Sequence, residues 1–402
     1  MNRYRAIAPL ATALVLAFVT GAHAAGTYDA GASDSEIRIG NSAPYSGNLS
    51  QTSMGSKISA AYFKMLNEQG GINGRKVTFF SYDDAYNPAR TVEQVRRLVE
   101  QDKVLLVYSI PGTPTNLSVQ KYLNERKVPQ LFAAAGASRL HDPEHYPYTI
   151  GFIPSYVGEG TIYGRYIAAN MPDAKIGVLR QDDDYGRDFL DGVKRGLADK
   201  GKLLIADVTY QPTDPTVDSQ VTSLQGTGAD VFINVTTPKF AAQAIRKSYD
   251  LGWRPTQFLN DVSSSIGAVL IPAGPEKAIG IISAEFIKDF SDPEWADDAG
   301  VKEFGTFMKQ YAPDFDPHDK FTAEGFVEAQ LISEVLRRCG DDLTHENVMR
   351  QVTHLDHVAF GMLLPGITVN VTPTDYNTIA NQQLVKFNGK SWERFGQVLS
   401  GL

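Results

Sequence analysis

The stretch IRIGNSAPYSGNLSQTSMGSKISAAYFKMLNEQGG (residues 37–71) contains one complete strand–loop–helix unit. A short apolar strand (37–40) leads through a loop of proline, serine and glycine into a helix predicted over 53–69, because Ile58 and Tyr62 begin an apolar face with helical spacing. A loop between a strand's carboxyl end and a helix's amino end exposes backbone N–H groups, which bind phosphate, carboxylate or another polar group. The stretch therefore predicts a parallel sheet and a polar ligand.

The same alternation of strand and helix continues along most of the chain. Pro88 opens a helix after the strand VTFFSYDD (77–84), and the stretch AKIGVLRQDDDYGRDFLDGVKRGLADKG (174–201) repeats the unit after a proline-rich interval at 141–155. Alternation of this kind indicates parallel sheets covered by helices. Its two runs predict two α/β domains, in keeping with a length of 402 residues.

The last third of the chain departs from this alternation. Two helical segments, 299–311 and 321–339, are followed by short β-like runs with a hairpin turn at Asn388–Gly389. These segments have no place in a simple βα repeat.

The first 24 residues have the composition of a secretory signal peptide. Arg3 and Arg5 form a basic start, Ala6–Val19 is an apolar run too short to span a membrane comfortably, and Ala22-His23-Ala24 is a small-x-small end. We therefore expect cleavage near Ala24 and a mature protein that is soluble in the periplasm. The segment has two basic and no acidic residues, so its removal takes the net charge from −8 to −10, which argues against nucleic acid and anionic membranes as partners.

The sequence gives little support to catalysis or to metal binding. The common signatures of nucleotide-binding, hydrolytic and zinc enzymes are absent from the sequence. The pairs His141/His145 and His354/His357 have no nearby thiolates, and we predict no metal site and no cofactor. Cys339 is the only cysteine, so it forms no disulfide within the chain and is interpreted as a buried small residue.

The loops that follow the predicted strands share one chemistry. They supply small residues, hydroxyls, backbone donors and a few aromatic rings, and they contain almost no basic side chains, which disfavours a polyphosphate ligand. Tyr185 follows a strand's carboxyl end, where a ring can cover an apolar ligand. A single carboxylate can be held by hydroxyls and helix amino ends alone. The loops in question are APYSGN (43–48), SIPGTPT (109–115), AAGAS (134–138), DDYG (183–186) and VTTPK (235–239).

These motifs give the chain a family resemblance. NEQGGINGRK (67–76) together with DDYG (183–186) resembles the leucine/isoleucine/valine-type periplasmic binding proteins of ABC transporters, and the likeness extends over essentially the whole mature chain. It implies the type I periplasmic binding protein fold, in which two Rossmann-like lobes with parallel sheets are joined by a three-crossover hinge and close on a ligand. The implied protein is a monomer. Lobe 1 comprises 35–153 plus 284–355, and lobe 2 comprises 154–283 plus 356–402.

The resemblance also implies which residues contact the ligand. Lobe 1 would hold a carboxylate, and lobe 2 would close over it, with Asp261 pairing the ammonium of an amino-acid ligand. If the ligand is aromatic, the rings of Tyr45 and Tyr108 would instead line its binding pocket. The lobe 1 residues are Ser46, Gly47, Pro111, Gly112, Thr113, Ala135, Gly136 and Ser138, and the lobe 2 residues are Tyr185, Thr236, Thr237 and Asp261.

The function implied is capture of a small hydrophobic carboxylate for an ABC importer, with membrane permease and ATPase subunits as partners. The segments KDFSDPEW (288–295) and LLPGITVNVTPTDY (363–376) resemble a sub-group found in bacteria that take up aromatic carboxylates as well as amino acids, so an aromatic acid stands beside a branched-chain amino acid as the ligand. A sensory binding protein of the same fold is an alternative. A periplasmic hydrolase is another, although it would need a nucleophile–base pair that the sequence does not present.

Overall fold

A computed structural model describes residues 26–401, and the predicted signal peptide (1–24) lies outside the described residues. The strands are β1 Thr27–Tyr28, β2 Glu36–Ala43, β3 Lys76–Asp83, β4 Leu106–Tyr108, β5 Gln130–Ala133, β6 Thr149–Gly151, β7 Ile176–Gln181, β8 Leu204–Tyr210, β9 Val231–Val235, β10 Thr256–Leu259, β11 Ile282–Glu285, β12 Asp342–Leu343, β13 Leu355–Val358, β14 Val369–Val371, β15 Asn381–Phe387 and β16 Trp392–Ser400. The helices are α1 Met54–Glu68, α2 Pro88–Glu100, α3 Thr113–Arg126, α4 Tyr156–Asn170, α5 Asp184–Leu197, α6 Asp218–Gly226, α7 Pro238–Asp250, α8 Ile271–Ala273, α9 Pro275–Ala278, α10 Ala299–Tyr311, α11 Lys320–Cys339 and α12 His345–Val352.

Two separate sheets form the centres of two lobes. The first is entirely parallel in the order β3-β2-β4-β5-β6, and the second has the order β16-β15-β11-β10-β9-β7-β8. In both sheets the first strand of the run lies between the second and the third, so each sheet has a topological switch point, where α/β proteins bind their ligands. The fold class predicted from the sequence, a two-lobed α/β protein, is thus confirmed.

The second sheet is mixed, whereas the sequence predicts parallel sheets throughout. Its strands β8, β7, β9, β10 and β11 pair in parallel, but β15 and β16 pair antiparallel at its edge. The reason is the tail of the chain, which forms a hairpin through the predicted turn at Asn388–Gly389 and adds both strands to β11. The tail therefore belongs to the second sheet.

The segment that breaks the alternation returns to the first lobe. Helices α10 and α11 pack on α1, and β12 pairs in parallel with β1 at the start of the described chain. On α11 the apolar residues Phe326, Leu331, Ile332 and Val335 are buried in the core of this lobe. The helix is amphipathic, and its burial against α1 explains why it is stable outside a βα unit.

Three connections link the lobes. The first, residues 152–155, runs from β6 to α4, and the second leaves β11 towards α10. The third follows α12 and contains β13. The second and third lie side by side, because Leu364 donates its amide N–H to the Phe286 carbonyl at 2.9 Å and Lys288 donates to the Met362 carbonyl at 2.8 Å. The predicted lobe boundary at residue 283 falls inside β11, which belongs wholly to the second sheet.

Local sequence accounts for the helix starts that point towards the gap between the lobes. Asn87 caps α2 by accepting the amide N–H groups of Ala89 and Arg90, and Pro88 occupies the first helical position. In the acidic turn, Asp183 accepts the Gly186 amide N–H at 3.2 Å and so caps α5. None of the helices described between residues 26 and 401 has the length and apolar character needed to cross a membrane.

Candidate ligand-binding site

A cavity lies between the two lobes, where the switch points of the two sheets meet. It encloses about 680 Å³, including space open to solvent. The loops after β2 and β4 line it from the first lobe, and the loops after β7 and β9 line it from the second, so it occupies the position that parallel sheets favour for ligands. The lining residues are Leu49, Thr52, Gly55, Ser56, Tyr86, Ser109, Pro111, Gly112, Thr113, Ala134, Ile153, Tyr156, Tyr185, Thr237, Asp261, Val262, Phe321, Glu324 and Glu328.

The amino ends of two helices of the first lobe, α1 and α3, lie at the cavity, and each brings a side-chain hydroxyl to it. Helix α1 brings Ser56 in its first turn, and α3 begins at Thr113. Ser56 Oγ and Thr113 Oγ1 are buried and make no hydrogen bond of good geometry among the described residues, although the Tyr45 hydroxyl lies near Ser56 and the Tyr156 hydroxyl lies near Thr113. No side chain caps either helix. Helix α1 continues directly from a 3₁₀ turn at Ser50–Ser53, in which the Met54 amide N–H already donates to the Gln51 carbonyl, so at the cavity this helix offers the Ser56 hydroxyl rather than free N–H groups. The start of α3 carries partial positive charge, and with the two hydroxyls it forms a place for a carboxylate.

Aromatic rings form much of the opposite wall. Tyr156 and Tyr185, at the starts of α4 and α5, have ring centroids 4.7 Å apart, and Tyr185 donates its hydroxyl to the Thr236 carbonyl at 3.3 Å. Tyr86 adds a third ring from the first lobe. Burial raises the pKa of all three hydroxyls, so they stay protonated at neutral pH. With Leu49, Ile153 and Phe321 these rings make a largely apolar surface suited to an apolar ligand body.

Three acids also face the cavity, and one lysine lies behind them. Asp261 follows β10, while Glu324 and Glu328 lie one turn apart on α11. Lys320, at the start of α11, forms ion pairs with Asp261 and with Glu285 at 2.8 Å, and lies 3.5 Å from Glu324. Glu328 accepts the Ser109 hydroxyl at 2.5 Å. The cavity wall therefore contains ionisable acids. Whether a charged group of a ligand can bind beside them depends on which of these acids already have a partner.

Burial of Glu328 makes the stability of the chain depend on pH. Burial raises the pKa of this carboxyl to about 8, against an ordinary value near 4.5, and the Ser109 hydroxyl only partly offsets the effect. The folded chain therefore keeps a proton that the unfolded chain releases between these values, and stability falls as pH rises through that window. We expect the melting temperature of Glu328→Gln to fall less between pH 5 and pH 8 than that of the native chain.

A matched control for this measurement is Glu125→Gln on α3, whose side chain is two-thirds exposed. This substitution should leave the pH dependence of the native chain unchanged. Equal pH dependence in Glu328→Gln and in the native chain would show that Glu328 is ionised in the fold.

Hydrogen bonds join the two lobes directly beside the cavity. Ser138 donates its amide N–H to Asp188 at 2.7 Å and its hydroxyl to the other carboxylate oxygen at 3.2 Å. Asn48 accepts from Lys239 at 2.9 Å and donates to the Pro212 carbonyl at 3.0 Å. The lobes are thus in contact at the loop after β2 and at the segment after β5.

The structure brings six of the fourteen predicted contact residues to the cavity wall. They come from both lobes: Pro111, Gly112, Thr113, Tyr185, Thr237 and Asp261. The first three form the turn into α3, and Thr237 immediately precedes α7. Whether each touches a ligand remains a prediction.

The other eight predicted residues do not line the cavity, and their hydrogen bonds and packing explain why. Ser46 and Gly47 are exposed, and Ser46 donates its hydroxyl to Asp83 at 2.6 Å. The Tyr45 hydroxyl bonds Ser81 at 2.5 Å, and Tyr108 is buried in the core of the first lobe.

The remaining four of these eight residues support or join parts of the site. Gly136 accepts the Tyr156 amide N–H at 2.9 Å, beside the buried Ala135, and so supports a ring of the wall. Ser138 belongs to the lobe–lobe contact with Asp188. Thr236 lies behind the wall, where its hydroxyl donates to Asn234 at 2.7 Å.

Sequence reasoning missed the α11 face, Tyr86, Tyr156 and the hydroxyls of Ser56 and Ser109. Tyr156 and Tyr185 are both close to a helix start that follows a strand, and that position is a signal that could have identified Tyr156. Phe321, Glu324 and Glu328 have the spacing of any amphipathic helix, so nothing local marks them as a cavity wall.

The fold and the cleft between two lobes define a solute-binding protein, and comparison with known proteins identifies the family. The family model described as "Periplasmic binding protein" matches residues 36–390. The chain therefore belongs to the periplasmic binding protein family, and the leucine/isoleucine/valine-type resemblance predicted from its sequence is confirmed by its relatives.

Three of these similar proteins illustrate the relationship. The chain is 22% identical over 320 residues to "Leu/Ile/Val-binding protein homolog 7" of Brucella abortus, covering 75% of this chain and 77% of the relative. A branched chain amino acid ABC transporter protein from Thermus thermophilus with bound valine has a TM-score of 0.81 at 16% identity, covering 91% of this chain and 96% of that one. A fatty acid ABC transporter substrate-binding protein from Thermomonospora curvata has a TM-score of 0.77 at 19% identity, covering 93% and 95%. At these identities the two structures show the shared fold.

Proposed function

We propose that this chain is the periplasmic solute-binding component of an ABC importer and that it holds a small hydrophobic carboxylate between its lobes. The carboxylate binds at the amino end of α3 and at the Ser56 hydroxyl of α1, and the apolar body lies against the tyrosine wall. Export through the signal peptide cleaved near Ala24, a monomeric state and delivery to permease and ATPase subunits belong to the same proposal.

The observation that carries the proposal is the buried, unpartnered hydroxyl of Thr113 at the start of α3. A buried hydroxyl without a partner costs about 1–3 kcal/mol, so such a group is retained where a ligand completes its bonding. A carboxylate supplies two strong acceptors for the Ser56 and Thr113 hydroxyls and the helix N–H groups. The apolar wall supplies no basic side chain that a phosphate would need.

The proposal is tested by thermal melting of the mature protein with a panel of small acids. Benzoate and cinnamate derivatives, leucine, isoleucine and valine form the panel, with neutral amides of the same size as controls. A ligand at a hundred times its Kd adds about 2.7 kcal/mol of stability, which is readily visible as a rise in Tm. A rise with the acids and none with the amides supports carboxylate capture. No rise with any acid would refute it.

Removing the Thr113 hydroxyl should weaken carboxylate binding. Thr113→Val keeps the shape of the side chain but removes one hydrogen bond to a charged group, which contributes about 1.5–3 kcal/mol. We therefore expect Kd to rise about ten- to a hundredfold in a calorimetric titration. Ser118→Ala is the control, because Ser118 lies on the same helix and donates to the Thr115 carbonyl at 2.7 Å, away from the cavity. If both variants bind the carboxylate equally well, the amino end of α3 does not hold it.

A further inference from the structure

We infer that Lys320 is a built-in counter-ion for Asp261 and thereby restricts the ligand to carboxylates without a neighbouring ammonium group. This inference rests on the proposed function and narrows its ligand class. It separates the two kinds of ligand that the sequence leaves open, since amino acids carry an ammonium beside the carboxylate and simple aromatic or aliphatic acids do not.

The side chain of Lys320 crosses from one lobe to the other. Its backbone belongs to α11, which packs on the first lobe, but its ammonium lies among groups of the second. It pairs with the Asp261 carboxylate, donates to the Ser264 hydroxyl at 3.1 Å, and lies 2.8 Å from Glu285. The side chain is 9% exposed. An ammonium has three protons, and these acceptors use all of them, so no proton of Lys320 remains for a ligand.

Asp261 and Lys320 stand on different sides of the cavity wall. Asp261 lines the cavity, whereas Lys320 lines a separate cavity at the hinge, next to Trp295 and Trp392. The lysine therefore reaches the carboxylate from behind. The backbone N–H of Asp261 also donates to Glu159 at 2.7 Å, which fixes the acid from a third direction. A ligand in the cavity meets a carboxylate that already has its cation.

The other two acids of the wall do not replace Asp261 as partners for an ammonium. Glu324 lies 3.5 Å from the same lysine, and Glu328 accepts the Ser109 hydroxyl. Glu328 is buried, and burial raises its pKa to about 8, so at neutral pH it is largely protonated; burial also raises the pKa of Glu324, whose nearest cation is Lys320 itself. A ligand ammonium entering the cavity would lose its water without gaining a free anion, which is unfavourable.

Ligand pairs with one carbon skeleton isolate the effect of the ammonium. 4-Methylpentanoate and leucine differ only in the amino group, as do 3-phenylpropanoate and phenylalanine. We expect the native protein at pH 7 to bind the acid of each pair at least tenfold more tightly than its amino acid, measured by calorimetric titration.

Substitution of the lysine should reverse this preference. Lys320→Met leaves Asp261 unpaired at the cavity wall, so the ratio of the two affinities should move at least tenfold towards the amino acid. Adding Asp261→Asn to that variant should cancel the gain. Lys288→Met is the matched control, because Lys288 is equally buried and ion-paired, with Asp298 at 2.8 Å, but lines only the hinge cavity. Its affinity ratio should equal that of the native chain.

The outcomes separate this inference from the proposed function. If the amino acids bind more tightly than the acids and Lys320→Met leaves the ratio unchanged, the inference is overturned while carboxylate capture stands. Binding of neither member of any pair overturns both. Should Lys320→Met not fold, Asp261→Asn alone decides. It should leave the preference for the acid intact, whereas selective loss of leucine or phenylalanine binding would identify Asp261 as the partner of the ligand's ammonium.

Discussion

Gly164→Val should destabilise the second lobe by about 3 kcal/mol or more, because helices α4 and α5 touch backbone to backbone at this glycine. A Cβ at Gly164 would overlap the Val193 carbonyl oxygen and lie 2.8 Å from the Gly196 Cα. These are backbone atoms, so no side chain can rotate out of the way. The expected result is a much lower midpoint in urea unfolding and a melting temperature lower by many degrees.

The control for this substitution is Gly226→Val at the end of α6, where an added Cβ meets nothing within 4 Å. Valine is a better helix former than glycine, so the control should keep native stability or exceed it slightly. If Gly164→Val is as stable as this control, the close contact of α4 and α5 does not limit the stability of the fold.

The contact between these helices also positions the site. Gly160 and Gly164 on α4 face Gly192 and Gly196 on α5, and an added Cβ at any of the four would meet backbone of the opposite helix within 3 Å. Both helices start at the cavity with the rings of the wall. The spacing of the two rings depends on how closely α4 and α5 approach each other. A substitution that separates the helices only slightly should therefore change ligand affinity while the chain still folds.

The fold follows from local sequence patterns to a large extent. The strand-to-helix units, the start of α2 at Pro88 and the helices at 299–311 and 321–339 were all predictable, because apolar periodicity and turn residues are local signals. The antiparallel edge of the second sheet was not, because pairing of β15 with β11 joins segments about a hundred residues apart. Sequence alone does not specify which sheet edge the tail reaches.

The site was less predictable than the fold for the same reason. The turn Pro111–Thr113 and Tyr185 were found because loops after strands reach the switch points. Lys320 was missed, because its partner Asp261 lies 59 residues earlier and in the other lobe. The serine loop at 46–47 was predicted to face the ligand, but its donors are taken by Asp83, an acid at the end of the neighbouring strand. Long-range pairing of polar groups decides which donors stay free.

Tyr185→Ala should weaken ligand binding by about thirtyfold or more, because Tyr185 is a central ring of the apolar wall. Tyr185 is 3% exposed, and its ring packs on Tyr156 at the cavity wall. Buried aromatic residues at the centre of a binding surface commonly contribute about 2 kcal/mol or more, which corresponds to that change in Kd. The measurement is a calorimetric titration with the best acid from the melting panel, under conditions where circular dichroism shows the variant folded.

Two controls separate the ring from the hydroxyl and from general loss of stability. Tyr185→Phe keeps the ring and loses only the 3.3 Å hydrogen bond to the Thr236 carbonyl, so its Kd should stay within a few-fold of the native value. Tyr249→Ala removes a ring that is 38% exposed and lies outside the cavity, and it should bind as the native chain does. If Tyr185→Ala also binds normally, the ligand does not contact this wall, and the apolar part of the proposed ligand must lie against Leu49, Ile153 and Phe321 instead. Weak binding by both Tyr185 variants would show that the hydroxyl matters more than the ring and that a polar group of the ligand reaches the second lobe.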